Sequence, residues 1–207
     1  MGVTRKSVAV AVLMSSAVVF AGCGGGSTGG AGTSTVPGSA VELNSGGDCA
    51  GRDVIVNRDG AGVVLEGECG TVTIEANGVS ATVATSNAVV VRGQDTSVVG
   101  GQTGTLTISG RSNSSTIDVV ESIELQGNAV TVLGKQAERI SVTGSGNSVN
   151  VDDSGATTVS GNDNFVRAVS LDSLEVTGSN NSVDWDSGAT APAVDTGSEN
   201  RLTPPGA

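Results

Sequence analysis

The chain contains no histidine and no tyrosine, and its 207 residues include one tryptophan and two phenylalanines. Without histidine it lacks the commonest general base, the commonest activator of a nucleophile and the commonest metal ligand. With so few rings it has no stacking surface for sugars. The N-terminal apolar run, Val8 to Phe20, is too short to cross a bilayer comfortably, and no second stretch is apolar for long enough to span one. No apolar pattern of 3.6-residue period persists long enough to support a helix. Basic residues are scarce too, with 10 Lys and Arg against 21 Asp and Glu. That balance excludes a nucleic-acid binder and disfavours docking on anionic lipid. What the chain has instead is Val, Ile, Gly, Ser and Thr. Its core must therefore be built from β-branched residues, which favour strands.

The N-terminus reads as an export signal. Arg5 and Lys6 precede the apolar run, which is broken only by Ser15 and Ser16 and is of signal-peptide length. It ends Phe20-Ala21-Gly22-Cys23, which resembles a bacterial lipobox, with Phe20 where Leu is usual. The resemblance implies cleavage before Cys23 and a diacylglycerol thioether on its sulfur. Two or three acyl chains hold a protein firmly where one does not. The alternative is an ordinary cleaved signal and a buried cysteine. Gly24 to Ala40 is a Gly/Ser/Thr/Ala tract of the kind that forms a flexible coil, with a reach of roughly 20–25 Å. The expected layout is a signal peptide at 1–22, a linker carrying lipidated Cys23 at 23–43, and a folded domain at 44–207. Cleavage removes Arg5 and Lys6, leaving 10 − 2 = 8 basic residues and a net charge of 8 − 21 = −13.

Cys49 and Cys69 are then an even pair in an oxidising compartment, and a disulfide is expected between them. Two thiolates without histidine do not complete a zinc site.

The rest of the chain repeats. "VTGSGNSVNV", "VSGNDNFVRA" and "VTGSNNSVDW" align at a period of 17, with Gly144, Gly161 and Gly178 and then Asn147, Asn164 and Asn181 in step. The apolar series Val91, Ile108, Leu125, Val142, Val159 and Val176 keeps that period, Ile74 extends it, and Val56 precedes it by a step one longer. These define eight units. Each holds two alternating segments, such as Ile140-Ser-Val142 and Val149-Asn-Val151, joined by Gly-x-x-Asn. In this reading Gly and Asn supply the positive-φ positions of sharp turns. Unit five reads as irregular: only Gly127-Asn128 joins its segments, the second being Val130-Thr-Val132, and a long connection follows. A constant repeat length predicts an all-β fold, a parallel β-solenoid of about eight rungs in which like side chains stack. A series of antiparallel hairpins forming a barrel or sandwich would share the two-segment repeat, but it gives no reason for the Asn column. Val194 to Leu202 reads as a degraded ninth unit, with Pro204 and Pro205 ending the pairing.

The lipobox, the linker, "DCAGRDVIV", "LEGECGTVTI" and the "VTGSxNSV" units together resemble actinobacterial lipoproteins carrying the family of domain of unknown function 3060. The resemblance runs from Asp48 to about Trp185. It implies a surface or cell-wall-associated lipoprotein and no activity.

Three groups of residues are candidates for chemistry. Asp152, Asp153, Asp163, Asp172, Asp184 and Asp186 crowd the turns and segment ends, as acids do on β-helix enzymes that act on polysaccharide. These turns are minimal, however, and leave no cleft. Calcium-binding β-rolls need Asp at a fixed spacing, which is absent here, so no metal and no cofactor is expected. The third group faces outward. If Val89 and Val91 point in, Val90 points out, and the same logic exposes Ile55, Val64 and Val99 among threonines. That face is the candidate interaction surface. Val41-Glu-Leu43, or a third wall of the solenoid, could also cover it. The expectation is a non-enzymatic scaffold or binding module at the cell membrane, held by its N-terminal lipid on the exported face, with an envelope protein as partner and no nucleic acid. An enzyme acting on envelope polysaccharide is the alternative.

Overall fold

The computed structural model describes residues 40–207. The signal-peptide segment, Cys23 and the linker up to residue 39 lie outside the described residues. The strands are β1 (Val41–Glu42), β2 (Gly47–Asp48), β3 (Val54–Val56), β4 (Gly62–Ile74), β5 (Ser80–Val91), β6 (Ser97–Ile108), β7 (Ser114–Leu125), β8 (Thr131–Val142), β9 (Ser148–Val159), β10 (Phe165–Val176), β11 (Ser182–Gly188), β12 (Val194–Asp195) and β13 (Arg201–Thr203). Every pairing is parallel, and no helix occurs among the described residues. The fold is a parallel β-solenoid.

Each rung is one bent strand followed by one turn. In β9, Val149 and Val151 point inward on the first arm and Thr157 and Val159 on the second, with Ser154 inward at the corner between them. Alternation along each arm leaves the other side chains outside. Stacking in register turns these positions into columns. Val89, Leu106, Ile123, Ile140, Thr157 and Leu174 pair one after another, each at the same place in the next repeat. The one longer step, Val56 to Ile74, is absorbed by a bulge between Leu65 and Glu68 in β4.

Two features lock the turns together. The first is the column of glycines Gly93, Gly110, Gly127, Gly144, Gly161 and Gly178. A Cβ at Gly110, Gly127 or Gly144 would fall well inside contact distance of the carbonyl oxygen of the glycine one rung below. Glycine is needed for that close approach. The positive-φ position lies two places further along the turn and is held by Asp95, Ser112, Ala129, Asp163 and Asn180 as well as by Gly78 and Gly146. This corrects the expectation that the repeated glycines supply positive φ.

The second feature is the asparagine column. The Asn147 Nδ2 donates to Gly127 O at 3.0 Å, and its Oδ1 accepts from Val130 N at 2.9 Å. Asn164 and Asn181 repeat both bonds one and two rungs higher. All three are buried. Each amide thus satisfies two backbone groups of the rung below, groups that would be costly to leave unpaired inside.

The structure corrects three further expectations. Unit five is regular: β8 has the usual 12 residues, Val130 takes the asparagine position and Val132 points inward. The solenoid has about ten turns, because β1 and β2 add a rung below and β12 and β13 one above. The lowest strand is β1, at Val41–Glu42. Val41 pairs with Val54, and Leu43 packs on the core end. This segment therefore extends the stack and does not cover an outer face. At about 4.8 Å per rung, nine steps make a stack of roughly 43 Å.

Both ends are closed by bulk. Cys49 and Cys69 form a disulfide, Cys49 is fully buried, and the bond fills the bottom of the corner column that Ser86 and Thr103 continue. At the other end Trp185 is buried above Ala168, and its Nε1 donates to Ala189 O. The degraded last unit is present, with Gly197 and Asn200 continuing the glycine and asparagine columns and Asn200 Nδ2 reaching Gly178 O at 2.9 Å.

Candidate interaction faces

Alternation puts two kinds of outward column on the solenoid, one per arm. On the first arm Val64, Thr82, Val99, Thr116, Leu133 and Asn150 stack in register. The neighbouring column on the same arm is Gly62, Ser80, Ser97, Ser114, Thr131 and Ser148. These two columns carry no charge over six rungs, and the charged residues Arg167 and Asp184 follow above Asn150. Val64, Val99 and Leu133 are 55%, 49% and 44% exposed, which makes them exceptions to the rule that large apolar groups go inside.

On the second arm the outward column runs Ile55, Thr73, Val90, Thr107 and Glu124. Ile55 and Val90 are half-buried. The expected face of Ile55, Val64, Val90 and Val99 is therefore two columns on different arms. Val64 and Val99 share one, Ile55 and Val90 the other. The structure adds Leu133. Sequence reasoning missed it because Val130-Thr-Val132 was taken as the first-arm segment of unit five, which left Leu133 in the connection that follows. Phe165 is also exposed, one rung above Ser148 in the neighbouring column, and Val169 is exposed further along β10.

The acidic residues are spread out. Asp152 and Asp153 sit at the corner of β9, Asp172 at the corner of β10, and Asp163 in the turn, where Asn180 Nδ2 donates to it. Asp184 lies on the first arm and Asp186 beyond it, 3.8 Å from Arg167. Among the described residues no three His, Cys, Asp or Glu side chains converge as a metal site would require. The corner does carry an open depression of about 490 Å³, lined by Glu121, Glu138, Asp153 and Asp172 among others. Glu121 and Glu138 stack on neighbouring rungs, an arrangement that the single-rung motifs did not reveal. A second open depression, of about 320 Å³, lies on the second arm between Glu124 and Arg139 over Ser141 and Ala156.

The family model described as "Protein of unknown function (DUF3060)" matches residues 126–167 and, overlapping them, 142–200. The second match starts close to one rung after the first, as expected when a repeating pattern is met twice. Both fall on the stacked rungs of the C-terminal half. No curated protein and no solved structure matches the chain.

Proposed function

We propose that this protein is an exported surface lipoprotein of actinobacterial type, anchored through Cys23, that acts as a non-enzymatic scaffold or binding module. The observation that carries the binding role is the uncharged first-arm strip with Val64, Val99 and Leu133 exposed, on a chain whose net charge is −13 after cleavage. Exposed apolar patches of this kind mark partner sites. The anchor reading rests on the Phe20-Ala21-Gly22-Cys23 ending and the Gly-rich tract after it. Two measurements test the proposal. Detergent-phase partitioning should place the full chain in the detergent phase and Cys23→Ser in the aqueous one; no difference refutes the anchor. Cross-linking in intact cells should give adducts that Val99→Asp removes, and adducts unchanged by Val99→Asp refute the binding face.

The corner depression with Glu121, Glu138, Asp153 and Asp172 supports a second reading, hydrolysis of an envelope polysaccharide. Turnover of envelope glycans by the wild type, abolished in Glu138→Gln, would establish it in place of the first.

A further inference from the structure

We infer that the plane between β7 and β8 is a joint, at which the solenoid opens into two units, one ending with β7 and the other starting at the turn before β8. A solenoid is held together only by contacts between neighbouring rungs, so its weakest interface decides where cooperativity breaks.

The asparagine column locates that interface. Asn113 Nδ2 donates to Gly93 O at 2.9 Å and its Oδ1 accepts from Thr96 N at 2.8 Å, which ties the β7 rung to the β6 rung. Asn147 ties the β9 rung to the β8 rung in the same way. Between them the position belongs to Val130, which is buried. Valine has nearly the shape of asparagine, but it sets two methyl groups where the other rungs have the amide oxygen and nitrogen. The groups that an amide at this position would serve are Gly110 O and Asn113 N. Both residues are buried, and neither group has a hydrogen-bond partner among the described residues. Ser115, on the same rung and stacked against Val132 of the β8 rung, is buried with its hydroxyl unpartnered as well. Unpaired polar groups in the interior are costly, and here they gather at one interface.

The column also lacks asparagine at Val79 and Thr96, but other bonds take over there. Under Val79, Ala61 N donates to Arg58 O at 3.2 Å within its own turn. Under Thr96, the β5 and β6 rungs share the buried hydrogen bond between the Ser86 and Thr103 hydroxyls, and Gln94 N donates to Asn77 Oδ1 at 2.9 Å. Between the β7 and β8 rungs no buried side-chain hydrogen bond crosses, among the described residues. What crosses is the Lys135–Asp118 ion pair at 2.9 Å, with both side chains more than half exposed, and the part-buried bond from Thr143 Oγ1 to Leu125 O at 3.3 Å. An exposed ion pair contributes little. The backbone ladder is complete across this plane, which keeps the joint closed in the native structure. Opening it would uncover the facing edges of β7 and β8 while each keeps its other neighbour.

Native-state hydrogen exchange of the full chain, in urea well below the unfolding midpoint, tests the joint. Amides of β4 to β7 should exchange as one group and those of β8 to β11 as another, with different urea dependence. Val130→Asn supplies the missing amide. It should slow exchange in β7 and β8 by about tenfold or more and merge the two groups. Val149→Asn is the control, because its column neighbours Val132 and Val166 offer an amide nothing to bond. That variant should exchange faster than the wild type. A single group with one urea dependence in the wild type would overturn the inference, whatever the variants do. Unchanged or faster exchange in Val130→Asn, or its failure to fold, would overturn it too, since a joint of this origin requires asparagine to serve better than valine at position 130.

Discussion

Replacing Gly144 by Ala should cost most of the domain's stability, although alanine is normally the better residue for an ordered chain. The added Cβ would lie 2.8 Å from the carbonyl carbon of Gly127, closer still to its oxygen, and 2.9 Å from Asn147 Nδ2. The rung below cannot yield, because its carbonyl and its amide are both held. Overpacking of this kind costs about 1–3 kcal/mol. Displacing Asn147 also breaks its bonds to Gly127 O and Val130 N, leaving buried groups unpaired at about 1–3 kcal/mol each. The combined loss is about 3–9 kcal/mol, against a typical total stability of about 5–15 kcal/mol. Gly146, in the same turn, is the control. It has φ +66° and open space around its Cβ position. Gly146→Ala should cost only the strain of a left-handed alanine, about 1–2 kcal/mol. Urea unfolding of the two variants beside the wild type measures both. Equal and small losses would show that the glycine column is a matter of dihedral angle, and the close-approach argument would fail.

Three further changes test other parts of the account. Ser115 is fully buried with its hydroxyl unpartnered, between Val98 and Val132 in the same column; Ser115→Val should stabilise by about 1–3 kcal/mol in the same urea assay. Ala129 holds a positive φ in an exposed turn, so Ala129→Gly should stabilise by up to about 1 kcal/mol, opposite in sign to the usual effect of glycine. Opening the Cys49–Cys69 bond with Cys69→Ala should cost roughly 3 kcal/mol, with hydrogen exchange rising first in β3 and β4.

Much of this fold was legible because the physics of stacking writes itself into the chain at a fixed interval. Inward residues such as Val91, Ile108 and Leu125 meet the same neighbours on every rung, so the same kind of residue recurs. The asparagines recur because one amide can satisfy two backbone groups of the rung below. Where that reason lapses, the signal lapses too. Val130 replaces asparagine, and without that marker the frame slipped and hid Leu133. The terminal rungs were harder still. β1 and β2 need neither the glycine nor the asparagine, because nothing stacks beneath them, and Trp185 breaks its column's size range because it closes the stack. The candidate faces were legible as outward positions, and the two segments of each unit already separate Ile55 and Val90 from Val64 and Val99, a division that grouping them by exposure alone overlooked. The corner depression was invisible because it joins carboxylates of successive repeats through stacking.

The central claim is that every repeat adds one rung along a common axis. Spin labels on the first-arm outward column test it directly. Thr82 and Asn150 are separated by the steps Thr82–Val99–Thr116–Leu133–Asn150, so four rungs of about 4.8 Å predict about 19 Å. Two more steps, Asn150–Arg167–Asp184, predict about 29 Å from Thr82 to Asp184. Pulsed electron–electron resonance on the two double-labelled chains should show the second distance longer by about 10 Å. Distances that are equal, or that shorten with added repeats as in a closed barrel, would contradict the solenoid.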